Sequence, residues 1–335
     1  MSAPKPDTDA HAQRQAAAET LLASPPPLDA LPPGRAQVLT RSVVHASRSR
    51  PVVRWTVSLD SGSGTSTLLA VIGKGYRAGG GEQAWRLLRS LRQAGFDASE
   101  FMVPAPYGFD PSRQLLSQEE APSTTLHSLL NGDPRSAAPE AGRAGRWLAR
   151  LHHVRGVQAP DLAADFERLK LAEYAAALAG LLPRAAARVA ELTTATIEEL
   201  ARVDGPHVLT HGDFQPKNIH LDRYRFVVID FDRAAWAPAG RDLGHFIGQT
   251  LTMGASRHGN LTAAVPWVDA FLEGYSAAGG DEGAVRSVPA YVARTFAEVL
   301  FYRLVVRPVR DSSFVPDWLD AWEWAVSAAT GGRSR

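Results

Sequence analysis

The chain contains no cysteine, which removes disulfides, thiolate metal sites and cysteine nucleophiles together. It also lacks a surplus of charge. Its 36 Lys and Arg against 35 Asp and Glu leave a formal net charge of +1, so no global field points to nucleic acid or to an anionic membrane surface. No uninterrupted apolar run approaches the roughly 18 residues that a membrane helix needs. The opening MSAPKPDTDAHAQRQ has no apolar core, so it does not read as a secretory signal. What is present is an ordinary globular composition, 45% hydrophobic and 21% charged over 335 residues, enough for one large domain or two lobes. The expectation is a cytoplasmic enzyme or binding protein, with neither nucleic acid nor a membrane as partner.

Residues 1–35 are rich in Ala, Pro and polar residues and end in the clusters Pro25-Pro26-Pro27 and Pro32-Pro33. They predict a mobile tail or a loosely docked helix over Ala10 to Ala23, stopped by the prolines. From Gln37 the pattern changes to β-branched and apolar runs over Gln37–Val44, Val52–Leu59 and Ser66–Ile72. Val53, Trp55, Val57 and Leu59 alternate with polar residues, as on a half-exposed antiparallel strand. Asp60-Ser61-Gly62-Ser63-Gly64 is a hairpin signal. A helix is predicted over Glu82–Ala94 and a short strand over Gln114–Gln118, so residues 36–121 form a small α+β lobe. Residues 122–335 are mainly helical.

The stretch HGDFQPKNIHLDRYRFVVIDFD, His211 to Asp232, concentrates the chemistry. Pro216 excludes a continuous helix or a central strand across it. Phe226–Ile229 reads as a strand, with Asp230 and Asp232 where a ligand-facing loop would begin. A proline-containing loop and a neighbouring strand end can gather Asp213, Asn218 and Asp230. Two carboxylates and an amide oxygen form a hard, oxygen-rich set that suits magnesium rather than zinc.

The order H-x-D-x-x-x-x-N, a strand, then D-x-D is similar to the catalytic and metal segments of kinases. With HGD and D-x-D, and with Gly240-Arg241-Asp242-Leu243-Gly244 following, the chain resembles the aminoglycoside phosphotransferase and choline kinase family. The phrase Leu148-Ala149-Arg150-Leu151-His152 fits the same family. Gln215, where protein kinases carry lysine, argues against a conventional protein kinase. The resemblance implies a two-lobed, protein-kinase-like α+β fold, with a small antiparallel sheet lobe that binds nucleotide and a larger helical lobe. It makes Asp213 the catalytic aspartate, Asn218 and Asp230 magnesium ligands, and Asp232 a further ligand. His211 becomes a brace of the loop, and Asp242 a cap of the helix from Leu243 that also orders the loop. Lys74, ending the third strand, would hold the phosphates of ATP or GTP, with Glu82 as its partner. Gln118 to Ala121, including Glu120, would form the hinge whose backbone meets the adenine.

The implied reaction is magnesium-dependent transfer of the terminal phosphate to a hydroxyl of a small molecule such as an aminoglycoside-like antibiotic, an amino alcohol or a sugar. The alternatives are a kinase of Ser or Thr on a peptide in natural-product maturation, and an inactive nucleotide-binding pseudokinase. A cationic acceptor would select an acidic pocket, for which Glu273, Asp281, Glu282, Asp317, Asp320 and Glu323 are candidates, with Arg303, Arg307 and Arg310 among them. Trp267, Trp318, Trp322 and Trp324 are candidates for stacking on a sugar or cation, or for helix packing.

Overall fold

A computed structural model describes residues 8–31, 34–47, 49–60, 66–77, 79–97 and 100–331. The turn expected at Ser61–Gly64 lies outside the described residues. The chain divides into two compact units, one comprising Met1–Ser123 and Leu221–Asp232, the other Thr124–His220 and Arg233–Arg335. The fold is α+β, with an antiparallel sheet in the first unit and mainly helices in the second.

The first unit begins with α1 (Thr8–Leu22), β1 (Arg35–His45), β2 (Val52–Asp60), β3 (Ser66–Gly75), α2 (Gly80–Gln93), β4 (Phe101–Met102), β5 (Pro106–Asp110) and β6 (Leu115–Glu119). Five of the strands form one antiparallel sheet in the order β1-β2-β3-β6-β5. The period-two pattern of β2 buries Val53, Trp55 and Val57 against Val71 and Leu115. Of the two expectations for this segment, the docked helix is what forms: α1 packs on this core through Ala18 and Leu21. The proline segment behind it is pinned by hydrogen bonds. Arg113 Nη2 donates to the Pro25 carbonyl at 3.1 Å and Ala30 N to the Tyr107 carbonyl at 2.8 Å. Only a narrow stripe of this alanine-rich helix is apolar and large, which is why its docking left no periodic signal.

The second unit contains α3 (Leu126–Leu129), α4 (Ala138–His152), α5 (Phe166–Leu181), α6 (Ala186–Ala201) and β7 (His207–Thr210), and β8 (Ile219–Leu221) ends at its boundary. β9 (Phe226–Val228) belongs to the first unit, where it pairs in parallel with β4. The second unit resumes with β10 (Ala235–Pro238), antiparallel to β7, then α7 (Gly240–His258), α8 (Val265–Ala277), α9 (Glu282–Phe301) and α10 (Val315–Gly331). Between α9 and α10, Tyr302–Val306 wind as a π-helical turn, a wide form that is common at functional sites.

The tryptophans divide by environment. Trp267, Trp318 and Trp322 are buried, and Trp322 Nε1 donates to Thr196 Oγ1 at 2.8 Å, whereas Trp324 is 64% exposed. Helices α4 and α8 touch backbone to backbone. A Cβ on Gly145 would sit 2.1 Å from the Phe271 carbonyl oxygen, and one on Gly274 would sit 2.1 Å from that of Gly142. Backbone cannot yield as a side-chain tip can, so Gly274→Ala should push the helices apart and cost about 1–3 kcal/mol. Gly180, in α5, meets nothing within 4 Å of an added Cβ, so Gly180→Ala should be neutral or stabilise by up to ~1 kcal/mol. Urea unfolding of the two variants checks the pair, and equal midpoints would contradict the helix contact.

Candidate active site

The loop His211–Asn218 leaves β7 and is fixed from three directions. Asp242 provides the first. Its Oδ2 accepts from His211 N at 2.6 Å and its Oδ1 from Gly212 N at 2.8 Å, with His152 Nε2 3.4 Å away. Asp242 is wholly buried. Burial works to raise its pKa, but the hydrogen bond from His152 and the charges of His152, His211 and Arg241 hold it below the ordinary carboxylate range. The expected capping role is corrected here. Helix α7 begins at Gly240, so Asp242 lies within its first turn and its carboxylate serves the loop, not the helix end. That position still places an anion at the positive end of the helix dipole.

Gly212 provides the second constraint. It adopts φ 79°, and a Cβ there would lie 2.1 Å from the Arg233 carbonyl oxygen, so only glycine fits. The third is Phe214, wholly buried next to Asp213 in an aromatic cluster. It stacks on Trp147 at 5.6 Å between centroids and meets Phe246 at 5.6 Å and Phe271 at 6.3 Å. Such pairs contribute about 0.5–1.5 kcal/mol each beyond area burial. His211 is also buried, and its Nδ1 accepts from Asp213 N at 3.2 Å.

Asp213 points into a polar chain. Its Oδ1 accepts from Gln215 Nε2 at 2.8 Å and lies 3.0 Å from His245 Nε2, while Asn218 Nδ2 donates to its Oδ2 at 3.2 Å and to its carbonyl at 2.9 Å. His245 Nδ1 lies 3.3 Å from Glu298 Oε2. Glu298 accepts in turn from Arg294, which donates through Nε to Glu167 at 2.8 Å, and Arg241 Nε donates to the other Glu167 oxygen at 3.0 Å. Burial acts against the imidazolium of His245, yet Asp213 and Glu298 raise its pKa above the usual value. Burial would also raise Asp213, but His245, Arg233 and His211 hold it below the carboxylate range. Asp213 is therefore an ionised, weakly basic carboxylate. It is suited to orienting a hydroxyl more than to stripping its proton early.

His245 and Glu298 were missed by sequence reasoning. The available signals were His245 one turn after Asp242 on α7, and the i,i+4 pair Arg294–Glu298 inside a helix that is otherwise largely apolar. A cavity of about 390 Å³ opens beside this group, with Asp213, Gln215, His245 and Glu298 in its wall, within the size range of small-molecule sites.

In the first unit a second cluster forms around Lys74 near the end of β3. Lys74 Nζ bonds Asp230 Oδ1 at 2.7 Å and Asp232 Oδ1 at 3.1 Å. Tyr76 Oη donates to Asp232 Oδ1 at 2.8 Å, and Arg50 Nη1 donates to Asp232 Oδ2 at 2.8 Å. Burial disfavours the ammonium, but Tyr76, Asp230 and Asp232 outweigh it and hold Lys74 above the ordinary lysine range. The expected Lys74–Glu82 pair is not formed. Glu82 lies on the open side of the first turn of α2 and pairs with Arg86 at 2.5 Å, because the face of α2 turned inward carries Gly81, Ala84, Leu87, Leu88 and Leu91.

Gln118 shares a small cavity of about 10 Å³ with Lys74, Asp230 and Asp232, on the order of one water in size. It lies in the sheet between Ile72 and Pro106. Glu120 is committed elsewhere: its N–H donates to the Ala70 carbonyl at 3.2 Å and its carboxylate takes Arg54 through Nε and Nη2. Within the expected hinge, this removes the Glu120 backbone donor from nucleotide recognition.

Among the described residues, no group of three or more His, Asp or Glu gathers as a ready metal cage. The donors still fit a hard cation. Asp230 has 38% of its side chain exposed against 5% for Asp232, and it holds φ 73°, a left-handed conformation that costs a non-glycine residue energy and concentrates at functional positions. Asn218, whose amide nitrogen is spent on Asp213, has its oxygen as the ligand-capable atom. Asp232 already accepts from three donors, on both oxygens.

A model of the phosphotransferase enzyme family matches residues 57–288. No curated protein matches the chain. Among solved structures, the amicoumacin kinase hAmiN in complex with AMP-PNP, Ca2+ and Ami is similar at TM-score 0.60, with 15% identity over 95% of this chain and 96% of that one. A choline/ethanolamine kinase family protein from Mesorhizobium loti is similar at TM-score 0.57, with 16% identity over 96% and 95%. A spectinomycin phosphotransferase in complex with ADP and spectinomycin follows at TM-score 0.52, with 14% identity over 89% and 92%. At these identities the likeness speaks for the fold.

The charge state of His245 is open to direct measurement. With its folded pKa raised above 6.5, its stabilising contribution is fully present below the unfolded value and is lost as pH rises through the higher folded value. Nitrogen NMR of the imidazole should find it still mostly doubly protonated at the pH, near 6.5, where an unperturbed histidine is half neutral. A neutral tautomer there would break the Asp213–His245–Glu298 chain as described.

Proposed function

Because the chain belongs to the phosphotransferase enzyme family, we propose that it transfers the terminal phosphate of ATP or GTP, with magnesium, to a hydroxyl of a small molecule. The observation that carries this reading is the placement of Asp213. Its carboxylate stands on a loop fixed by Asp242 and Phe214, with one oxygen against His245 and a cavity of about 390 Å³ beside it. Such a group accepts the acceptor's hydroxyl proton in a hydrogen bond and aims the oxygen lone pair at phosphorus. Phosphoryl transfer proceeds through a loose transition state in which little charge builds on the attacking oxygen. A weakly basic aspartate is thus sufficient, and positioning supplies most of the rate.

Lys74 is assigned to the nucleotide phosphates, with Asp232, Tyr76 and Arg50 fixing its ammonium. Asp230 and Asn218 are assigned to magnesium, which when bound neutralises phosphate charge. Asp232, engaged on both oxygens, is better suited to holding Lys74 than to ligating metal. Around the adenine, Gln118 and Ala121 remain the candidates of the hinge. The size of the cavity, about 390 Å³, suits a small acceptor, and the intact set of Asp213, Asn218 and Asp230 favours an active enzyme over a pseudokinase.

Asp213→Ala should lower ADP release by about 10²–10⁴-fold while nucleotide affinity, followed by calorimetry, stays within a few-fold of the parent. Near-native turnover would remove Asp213 from the chemistry. Asp230→Ala should abolish the magnesium-dependent part of nucleotide affinity, and an unchanged calorimetric titration would take Asp230 out of the metal site.

A further inference from the structure

The cavity beside Asp213 is basic. Its two acids are already balanced: Asp213 by His245, and Glu298 by His245, Arg294 and Arg233. Its remaining cations are Lys217, on the catalytic loop, Arg257, in the last turn of α7, and Arg303, in the π-helical turn after α9. None of the three has a carboxylate within ion-pair distance among the described residues. Arg257 spends its donors on neutral groups, Asn131 Oδ1 and His127 Nε2, the latter at 2.8 Å. Arg303 Nη1 donates to Ser256 Oγ at 3.1 Å, its guanidinium lies 4.9 Å from the Phe314 ring and 5.4 Å from the Trp318 ring, and its Nε is buried with no hydrogen-bond partner.

The local field reports the same imbalance. Burial, and then Arg257 and Arg307, lower Lys217 against the opposing pull of Asp213, while burial, Arg257 and Lys217 bring His127 down to about 4. Of the six acidic residues that would have served a cationic acceptor, none lines this cavity, Asp317 lines a neighbouring one with Arg303 and Trp318, and four are engaged elsewhere. Asp281 caps α9 through Ala284 N, Glu282 pairs with Arg286, and Asp320 and Glu323 hold Arg188.

Lys217 is exposed and Arg257 and Arg303 are partly buried, so the three like charges on one cavity repel one another in a partly solvated setting, and an anion placed among them would be attracted by all three. We propose that the acceptor is an anionic hydroxy compound whose carboxylate or phosphate is bound by Lys217, Arg257 and Arg303 while its hydroxyl meets Asp213. This rests on the phosphotransferase reading for the word acceptor, but the anion site stands on the cavity itself. Two arginines and a lysine on the wall of one cavity match the forked and point-charge donors that carboxylates and phosphates accept. An amine-bearing sugar or a quaternary ammonium would face uncompensated repulsion there.

Calorimetry on the full chain with four related probes isolates the charge: glucose, gluconate, glucosamine and a hexose phosphate. Gluconate or the hexose phosphate should bind at least about tenfold more tightly than glucose, the ratio expected of one charge-assisted contact. Tighter gluconate assigns a carboxylate and tighter hexose phosphate a phosphate. Arg303→Gln and Lys217→Gln, each with an unchanged melting profile, should each remove most of that preference. The inference is overturned if neither anion exceeds glucose, if glucosamine outbinds both, or if the two folded variants keep the anion preference. Adding ATP and magnesium separates the two claims. ADP release driven only by glucosamine or glucose retains the phosphotransferase and rejects the anionic acceptor. An anion that binds, loses affinity in both variants and draws no ADP release supports the anion site and counts against the phosphotransferase.

Discussion

Asp213 stays charged inside a largely buried polar network because its charge is passed along a row of alternating partners. His245 faces it at 3.0 Å, Glu298 faces His245 at 3.3 Å, and Arg294, Glu167 and Arg241 continue the row into the helical unit. Buried charges are tolerable only when paired and hydrogen-bonded in this way, and removing one member leaves the next uncompensated. The row links α5, α7 and α9 to the loop that carries Asp213, so the packing of those helices and the ionisation of the site are one structural problem.

The loop itself is held by a different device. A single buried carboxylate, Asp242, accepts two successive backbone N–H groups, and Phe214 is locked among Trp147, Phe246 and Phe271. Residues before and after Asp213 are thereby fixed while its own side chain is left to face the cavity. In the first unit the strained backbone of Asp230 and the saturated Asp232 divide the work of one short motif. One carboxylate is partly open, and the other is spent on Lys74, Tyr76 and Arg50.

What was legible in the sequence is what is contiguous. The HGDFQPKN loop, the strand before Asp230, the alternation in β2 and the place of Lys74 near the end of β3 all rest on neighbours along the chain. The partners were not legible, because they come from distant segments: His245 and Glu298 for Asp213, and Asp230 and Asp232 instead of Glu82 for Lys74. Helix α1 was legible as a helix that could dock, but the residues that dock it were not, since Ala18, Leu21 and Leu22 are all of it that reaches the core. The acidic residues near the end of the chain offered either an acidic pocket or a solvated surface, and the cap of Asp281 and the surface pairs of Glu282, Asp320 and Glu323 come from positions their sequence neighbourhood did not single out. Burial then showed that the cavity beside Asp213 keeps cations and spends its acids.

By the proposed reaction the nucleotide's terminal phosphate ends as an ester on an acceptor hydroxyl. Phosphorus NMR of the protein with ATP, magnesium and a pool of hydroxy acids, sugar phosphates, sugars and amino alcohols follows that atom directly. The account predicts a new phosphomonoester resonance growing in step with ADP and at the expense of the terminal phosphate of ATP. Inorganic phosphate as the sole product, or an unchanged ATP spectrum across the pool, would contradict it.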